Sequence, residues 1–312
     1  MTKLSAVSAG GRGLRSWMVD ARKRIDAALP RMLPQRHRLA GAVHEAMAYA
    51  LLSPGKRVRP MLMLAVGEAY RVERDRLLPF ACAIEMVHAS SLILDDLPCM
   101  DDAATRRGKP SCHVAFGEAT TILAAIGLLD LAFLVLAGDG ERDAIKTRPR
   151  AVVLQRIAAS IGTDGVIGGQ MADLDLARRR ADGSRVPIDL ETLEYIHSHK
   201  TGSLFIAAAE VGAHVARATA AEVRALGVFA KNLGLAFQIT DDLIDRTGDA
   251  GTAGKPVGAD SARVTFVDLC GVEGARALVE ELTDTAIEAL APFGRRAARL
   301  ESLARFLATR DR

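Results

Sequence analysis

The sequence predicts an all-α protein. Apolar residues recur every three or four positions, as in LAGAVHEAMAYALL and VRALGVFAKNLGLAFQI, and alternating runs of β-branched residues are scarce. Breaks rich in Gly, Pro or charge fall near 53–55, 97–110, 138–149, 178–187 and 247–260. None is accompanied by a composition shift long enough for an interdomain linker, so one domain of about ten or more helices is expected. That domain spans 26–312. Residues 1–25 read as a flexible tail, because the first eighteen carry Lys3, Arg12 and Arg15, no acid and no apolar stretch of signal-peptide length.

Composition narrows the function classes. With 49% hydrophobic residues among 312, a substantial core is affordable and disorder is excluded. A formal charge of +3 excludes a broad nucleic-acid surface. Cys82, Cys99, Cys112 and Cys270 lie far apart with no C-x-x-C pair, which argues against zinc or a disulfide framework and fits a reducing cytoplasm. The stretch TTILAAIGLLDLAFLVLAG, 120–138, approaches membrane-spanning length. Its Asp130 and two glycines point instead to a helix buried in a soluble core, and no transmembrane segment is expected.

The chemistry concentrates in two similar words. LILDDLPCMDD carries Asp95, Asp96, Asp101 and Asp102, and FQITDDLID carries Asp241, Asp242 and Asp245, its paired aspartates 146 residues further on. Positions 241 and 245 share a helix face one turn apart, where like charges repel unless a cation sits there. Pro98 bends the chain so that Asp101 and Asp102 can fold back toward Asp95 and Asp96. Both words follow apolar helix faces, Leu92 to Leu94 and Leu235 to Ile239, where an unpaired carboxylate is costly. Two clusters offering only hard oxygen ligands suit magnesium, which keeps several waters and takes further oxygens from substrate phosphates. Alone, either D-D-x-x-D would more often be a solvated helix end. GKRVRP (55–60), RRGKP (106–110) and HKTGSLF (199–205) add compact sets of phosphate donors, arginine as a bidentate fork and lysine as a point charge. Together the acids and cations imply a site for two diphosphates.

With these residues in place, the chain resembles the trans-isoprenyl diphosphate synthases, most closely the geranylgeranyl diphosphate synthases of bacterial type. The motifs GKRVRP, DDLPCMDD, RRGKP, GGQMADL, KTGSLF, FQITDDLID and the pair Gly254-Lys255 occur in one order between about 47 and 271. The resemblance implies an all-α isoprenoid synthase fold around a central cavity, a homodimer, and aspartate clusters facing each other across the cavity mouth. It implies that Asp95, Asp96, Asp101, Asp241, Asp242 and Asp245 hold three Mg2+ ions against an allylic diphosphate. Arg106, Lys200, Thr201, Gln238, Lys255 and Arg263 match contacts to the same diphosphate; Lys56, Arg59, His88 and Arg107 match the isopentenyl diphosphate site. A lone His88 would more often be a satisfied core histidine, but its place seven residues before Asp95 suits the site.

The expected reaction is ionisation of the allylic carbon–oxygen bond in a water-excluding pocket, attack by the double bond of isopentenyl diphosphate, and loss of a proton. Product length should follow cavity depth. Ser91 and Ser90 lie four and five positions before Asp95, about one turn or 5.4 Å away. By the resemblance, a bulky aromatic at either place stops growth at fifteen carbons, so two serines point to the twenty-carbon product, with Met86 or Val87 as its floor. Pro98 and Cys99, the two extra residues of the first motif, accompany that pattern. The departures are Ala103 and Ala104 where acids often stand, Ala125-Ile126 for a common G-D pair, and Arg263 for a late lysine, equally readable as a surface cation. A terpene cyclase would lack the second set of cations, a non-catalytic partner subunit usually lacks an aspartate motif, and a helical interaction protein would need every motif to be coincidence.

Overall fold

A computed structural model describes residues 3–35, 38–138, 147–181, 188–247 and 264–310. The described residues are overwhelmingly helical, in two compact units, Met1–Leu154 and Gln155–Arg312. The all-α expectation holds, with one small addition described below.

The first unit begins with α1 (Lys3–Met32), where a tail was expected. Its apolar residues sit three, four and seven apart, and Leu14, Trp17, Ala21, Ile25, Ala28 and Leu29 are buried. The Trp17 indole donates to Glu68 at 2.6 Å, and Arg74 stacks on its ring while pairing with Asp20 at 2.5 Å. Lack of acid in the first eighteen residues suggested a tail, but burial follows the apolar stripe rather than charge. After α2 (Gly41–Leu51), α3 (Val58–Ala69) is buried almost all round. It packs on α4 (Arg74–Asp95), which delivers the first aspartate motif at its C-terminal end. Pro98, three residues past Asp95, disfavours a helical continuation.

The addition is a two-stranded hairpin, β1 (Thr105–Arg106) with β2 (Lys109–Pro110). Its turn residues Arg107 and Gly108 have φ of 54° and 74°. Two successive positive values give the backbone twist that closes a two-residue hairpin. Behind α5 (Cys112–Phe116), α6 (Glu118–Ala137) lies on α4 and α2. By length and composition alone, α4 and α6 could each cross a membrane. Two-thirds of the apolar window of α4 is buried, but only a third of that of α6. Ile122, Ile126 and Leu134, spaced at multiples of four, face outward, so α6 is not the fully buried helix its composition predicts. The exposed Asp130 stands in the same register and interrupts this apolar face, and the buried residues of α6 lie between these positions.

α7 (Thr147–Ile161) runs across the division. In the second unit α8 (Val166–Ala181) precedes α9 (Leu190–His197), which continues through a π-helical turn, Ser198–Gly202, into α10 (Ser203–Val215). α11 (Ala220–Thr247) carries the second aspartate motif and packs on α12 (Phe266–Glu288). A capping box between Thr265 and Asp268 starts α12, and Leu235, Ile239, Phe266 and Val279 form the core beneath the motif. A 3-10 turn, Ala291–Ala297, leads into α13 (Ala298–Ala308). If α1 is integral, Ile25→Ala should lower the unfolding free energy by about 2–5 kcal/mol in urea denaturation; a change below about 0.5 kcal/mol would restore the tail.

Candidate active site

In the first unit the diphosphate-binding candidates gather round the end of α4. Past Asp95 the chain folds back as expected: the Asp101 N–H donates to the Asp95 carbonyl at 2.9 Å, and the Ala103 N–H to that of Asp96 at 3.2 Å. Asp95 and Asp101 are half-buried. Asp96 is different. Only 1% exposed, it accepts from Arg106 Nε at 3.0 and 3.1 Å and again from Nη2. Both its oxygens serve the guanidinium, so this geometry makes Asp96 the holder of Arg106 rather than an outward metal ligand. That departs from its expected role.

A small pocket beside this pair is lined by Arg57, Glu85, His88, Asp96, Arg106 and Arg107, among others. His88 is half-buried, its Nε2 3.2 Å from Arg59 Nη1. Burial first, then the charges of Arg59, Arg107, Arg106 and Arg57, push its pKa well below the ordinary imidazole value. His88 is therefore neutral at physiological pH, and Nε2 can accept from Arg59. Burial lowers the Arg107 pKa, Glu85 opposes this, and Arg57 adds to it. Gly55 lies under the Arg107 guanidinium, where a Cβ would come 2.6 Å from Nη1. Any larger residue at the glycine of GKRVRP would displace the end of that guanidinium. Lys56 is exposed.

Two residues missed by the motif reading organise this cluster. Arg57 stands at φ 51° before α3, its side chain 3% exposed. It donates to Glu85 at 2.6 Å, Asp26 of α1 at 2.9 Å, and the carbonyls of Leu51 and Ser53 at 3.0 and 3.1 Å. All three nitrogens of its guanidinium donate inside the protein, which fixes the loop bearing Lys56 and the start of α3, where Arg59 lies. Glu85, three residues before His88 on the same helix face, was the available signal. Ser90 is buried and donates to the Ala125 carbonyl of α6 at 2.9 Å, while the half-buried Ser91 donates to the His88 carbonyl at 2.9 Å. Met86 and Val87 are buried a turn before them.

In the second unit, Lys200 and Thr201 sit on the π turn, an irregularity frequent at functional sites. Lys200 Nζ lies 2.7 Å from Asp173 of GGQMADL, another residue not singled out beforehand. Gly169 permits the turn to approach α8, since a Cβ there would lie 2.2 Å from the Lys200 nitrogen. Thr201 Oγ1 donates to Gln238 Oε1 at 3.1 Å, Gln238 Nε2 to Asp242 Oδ1 at 3.0 Å, and the Phe266 N–H to Asp242 Oδ2 at 3.3 Å. Burial pushes the Asp242 pKa up to about 7, against the pull of Gln238 and Phe266. Like Asp96, Asp242 is spent on structure. Asp241 is half-buried and Asp245 exposed on α11. Asp241 Oδ1 accepts from Arg310 at 2.7 Å. Lys255 and Arg263 lie outside the described residues.

The donors fit magnesium in kind, being carboxylate oxygens at helix ends. Among the described residues no three acidic, His or Cys side chains converge as a ready cage, so water and phosphate oxygens would have to complete a coordination shell. Residues 41–280 match the polyprenyl synthetase family model. The chain belongs to the polyprenyl synthetase family. This polyprenyl synthetase is 39% identical over 301 residues to geranylgeranyl pyrophosphate synthase 4 of Arabidopsis thaliana, covering 95% of this chain and 78% of that one. It is 40% identical over 299 residues to synthase 3 of the same plant, covering 94% and 81%. Among solved structures, an FPP/GFPP synthase from Zymomonas mobilis matches with a TM-score of 0.83 and 36% identity, covering 96% of this chain and all of that one. A geranyltransferase from Helicobacter pylori, complexed with magnesium and isoprenyl diphosphate, matches with a TM-score of 0.80 and 29% identity, covering 94% and 96%.

A depressed His88 pKa makes the native state resist protonation. Its contribution to stability is whole above the unfolded value of about 6.5 and declines as pH falls below it. In urea unfolding between pH 8 and 5, wild type should lose up to about 1.4 kcal/mol per pH unit relative to His88→Gln; parallel profiles would contradict a neutral His88.

Proposed function

We propose that this polyprenyl synthetase condenses isopentenyl diphosphate with dimethylallyl, geranyl or farnesyl diphosphate and releases trans-geranylgeranyl diphosphate. The observation that carries the product assignment is the pair of small residues, Ser90 and Ser91, on α4 one turn before Asp95. Nothing bulky at these two positions stops a growing chain near the aspartates. The plant relatives named geranylgeranyl pyrophosphate synthases support the same length. The bacterial structure named FPP/GFPP synthase keeps fifteen- and twenty-five-carbon products as the competing reading.

In this reading Asp95, Asp101, Asp241 and Asp245 present the carboxylates for three Mg2+ ions, and Asp96 and Asp242 hold the neighbouring donors in position. When bound, magnesium supplies positive charge that stabilises the departing diphosphate. Arg106, fixed by Asp96, and Lys200, fixed by Asp173, grip the allylic diphosphate; Thr201, Gln238, Lys255 and Arg263 are assigned to the same group. The allylic carbon–oxygen bond breaks heterolytically, and apolar walls keep water from the cation. Lys56, Arg59, Arg107 and neutral His88 orient isopentenyl diphosphate so that its double bond attacks that carbon. The released diphosphate takes the proton lost in re-forming a double bond. No side chain needs to be a nucleophile. Complete aspartate motifs favour an active synthase over a non-catalytic partner subunit.

The outward face of α6, with Ile122, Ile126 and Leu134, supports a homodimer in which a second copy covers it. Ile126→Asp should convert a dimer to monomer in sedimentation velocity; a protein that needs detergent to stay in solution would point to a membrane instead.

With magnesium, labelled isopentenyl diphosphate and each starter, the purified enzyme should yield the twenty-carbon product, and Ser91→Phe should shorten it to farnesyl diphosphate. Unchanged length in Ser91→Phe would overturn the role of α4 in setting product size.

A further inference from the structure

Arg310, just beyond α13, makes contacts that no motif foreshadows. Its side chain is 4% exposed. Nη1 donates to the Leu307 carbonyl at 2.6 Å, and Nη2 to the Phe237 carbonyl at 2.8 Å and Asp241 Oδ1 at 2.7 Å. The guanidinium carbon lies 3.9 Å from the centre of the Phe237 ring, and Nε is buried without a partner. A cation seated so deeply against one aspartate of a three-aspartate cluster calls for a reason.

We propose that Arg310 is the built-in counterion of Asp241, so that the end of α13 sets how tightly the second aspartate cluster takes a divalent cation. The inference rests on reading Asp241 as a magnesium ligand. Asp241, Asp242 and Asp245 lie within one helical turn, where like charges repel. Asp242 is buried and turned inward, its two oxygens bonded to Gln238 and the Phe266 N–H. Arg310 compensates Asp241. Two carbonyls and a ring hold its fork independently of Asp241, so it cannot move away with ease when a metal arrives.

Two effects then oppose each other. By ordering the Asp241 carboxylate, Arg310 should favour metal binding by about threefold, the scale of one short side chain's rotamer freedom. By repulsion, a unit charge about 6 Å from a dication weakens binding about tenfold even with water-like screening, and more where screening is poorer. Repulsion wins. The cluster thus holds a bare divalent ion weakly and favours one that arrives with diphosphate, whose negative charge outweighs Arg310.

The test measures binding of Mn2+ alone, by electron paramagnetic resonance, and of Mg2+ alone, by calorimetry, to the full chain without substrate. Arg310→Met should bind either ion about tenfold more tightly than wild type or bring undetectable binding into range, and should melt at a lower temperature without metal. Arg310→Lys, which keeps the charge, should stay within about threefold of wild type. Arg310→Gln, which keeps a donor for the carbonyls, serves if the methionine variant does not fold. Unchanged or weaker binding in the uncharged variant overturns the proposal. Asp241→Asn separates the two readings: if it leaves metal affinity unaltered, Asp241 is no ligand and the site assignment fails; if it weakens binding while Arg310→Met and Arg310→Gln change nothing, only the Arg310 role fails.

Discussion

A guanidinium or ammonium that is to grip a phosphate must be held in place before the phosphate arrives, and in a half-buried site only an opposing carboxylate does this at tolerable cost. The arrangement recurs through the molecule. Asp96 stands behind Arg106 and Asp173 behind Lys200, while Glu85 and Asp26 hold Arg57, which braces the neighbouring loop instead of facing a phosphate. The Arg57 and Lys200 pairs join residues about thirty apart and the Asp96–Arg106 pair spans the ten-residue fold-back, so chain packing and site geometry depend on the same bonds. Breaking one would leave a buried charge alone, which is why these carboxylates, though they touch no substrate in the proposed reaction, are as necessary to it as the cations.

The two aspartate motifs divide their labour in the same way. The second residue of each pair, Asp96 or Asp242, is buried and occupied by protein donors. The first and last residues, Asp95 with Asp101 and Asp241 with Asp245, are half-buried or exposed. A helix makes this unavoidable, since neighbouring residues point about 100° apart and cannot both face one cation. Six similar letters in the sequence therefore become two kinds of group. Asp242, its pKa raised to about 7, shows how far burial, helped by the charges of Asp241 and Asp245, can carry an aspartate from its ordinary chemistry.

Backbone geometry completes the site. Arg57 and Arg107 both adopt positive φ, a conformation costly for residues other than glycine; the bonds of its guanidinium sustain it at Arg57, and the two-residue hairpin turn at Arg107. Gly55 and Gly169 do the complementary task, leaving room where a guanidinium or a backbone nitrogen must come close.

Helical periodicity, the order of the motifs and the fold-back after Pro98 were legible in the sequence, because each depends on residues near one another along the chain. The all-α class and the polyprenyl synthetase family followed from them. Tertiary structure decided what depends on distant partners. Residues 1–25 looked like a tail because their stripe has no visible partner until α1 meets Glu68 and Arg74. The outward face of α6 was hidden because periodicity cannot tell which sides of an apolar helix its neighbours cover. Asp96 and Asp242 read as ligands until Arg106, Gln238 and Phe266 claimed them. Arg310 carries no motif, and its meaning lies wholly in the aspartate 69 residues away that it touches. Local pattern specifies which groups are present, while the direction each one faces, and the charge it meets there, is a property of packing.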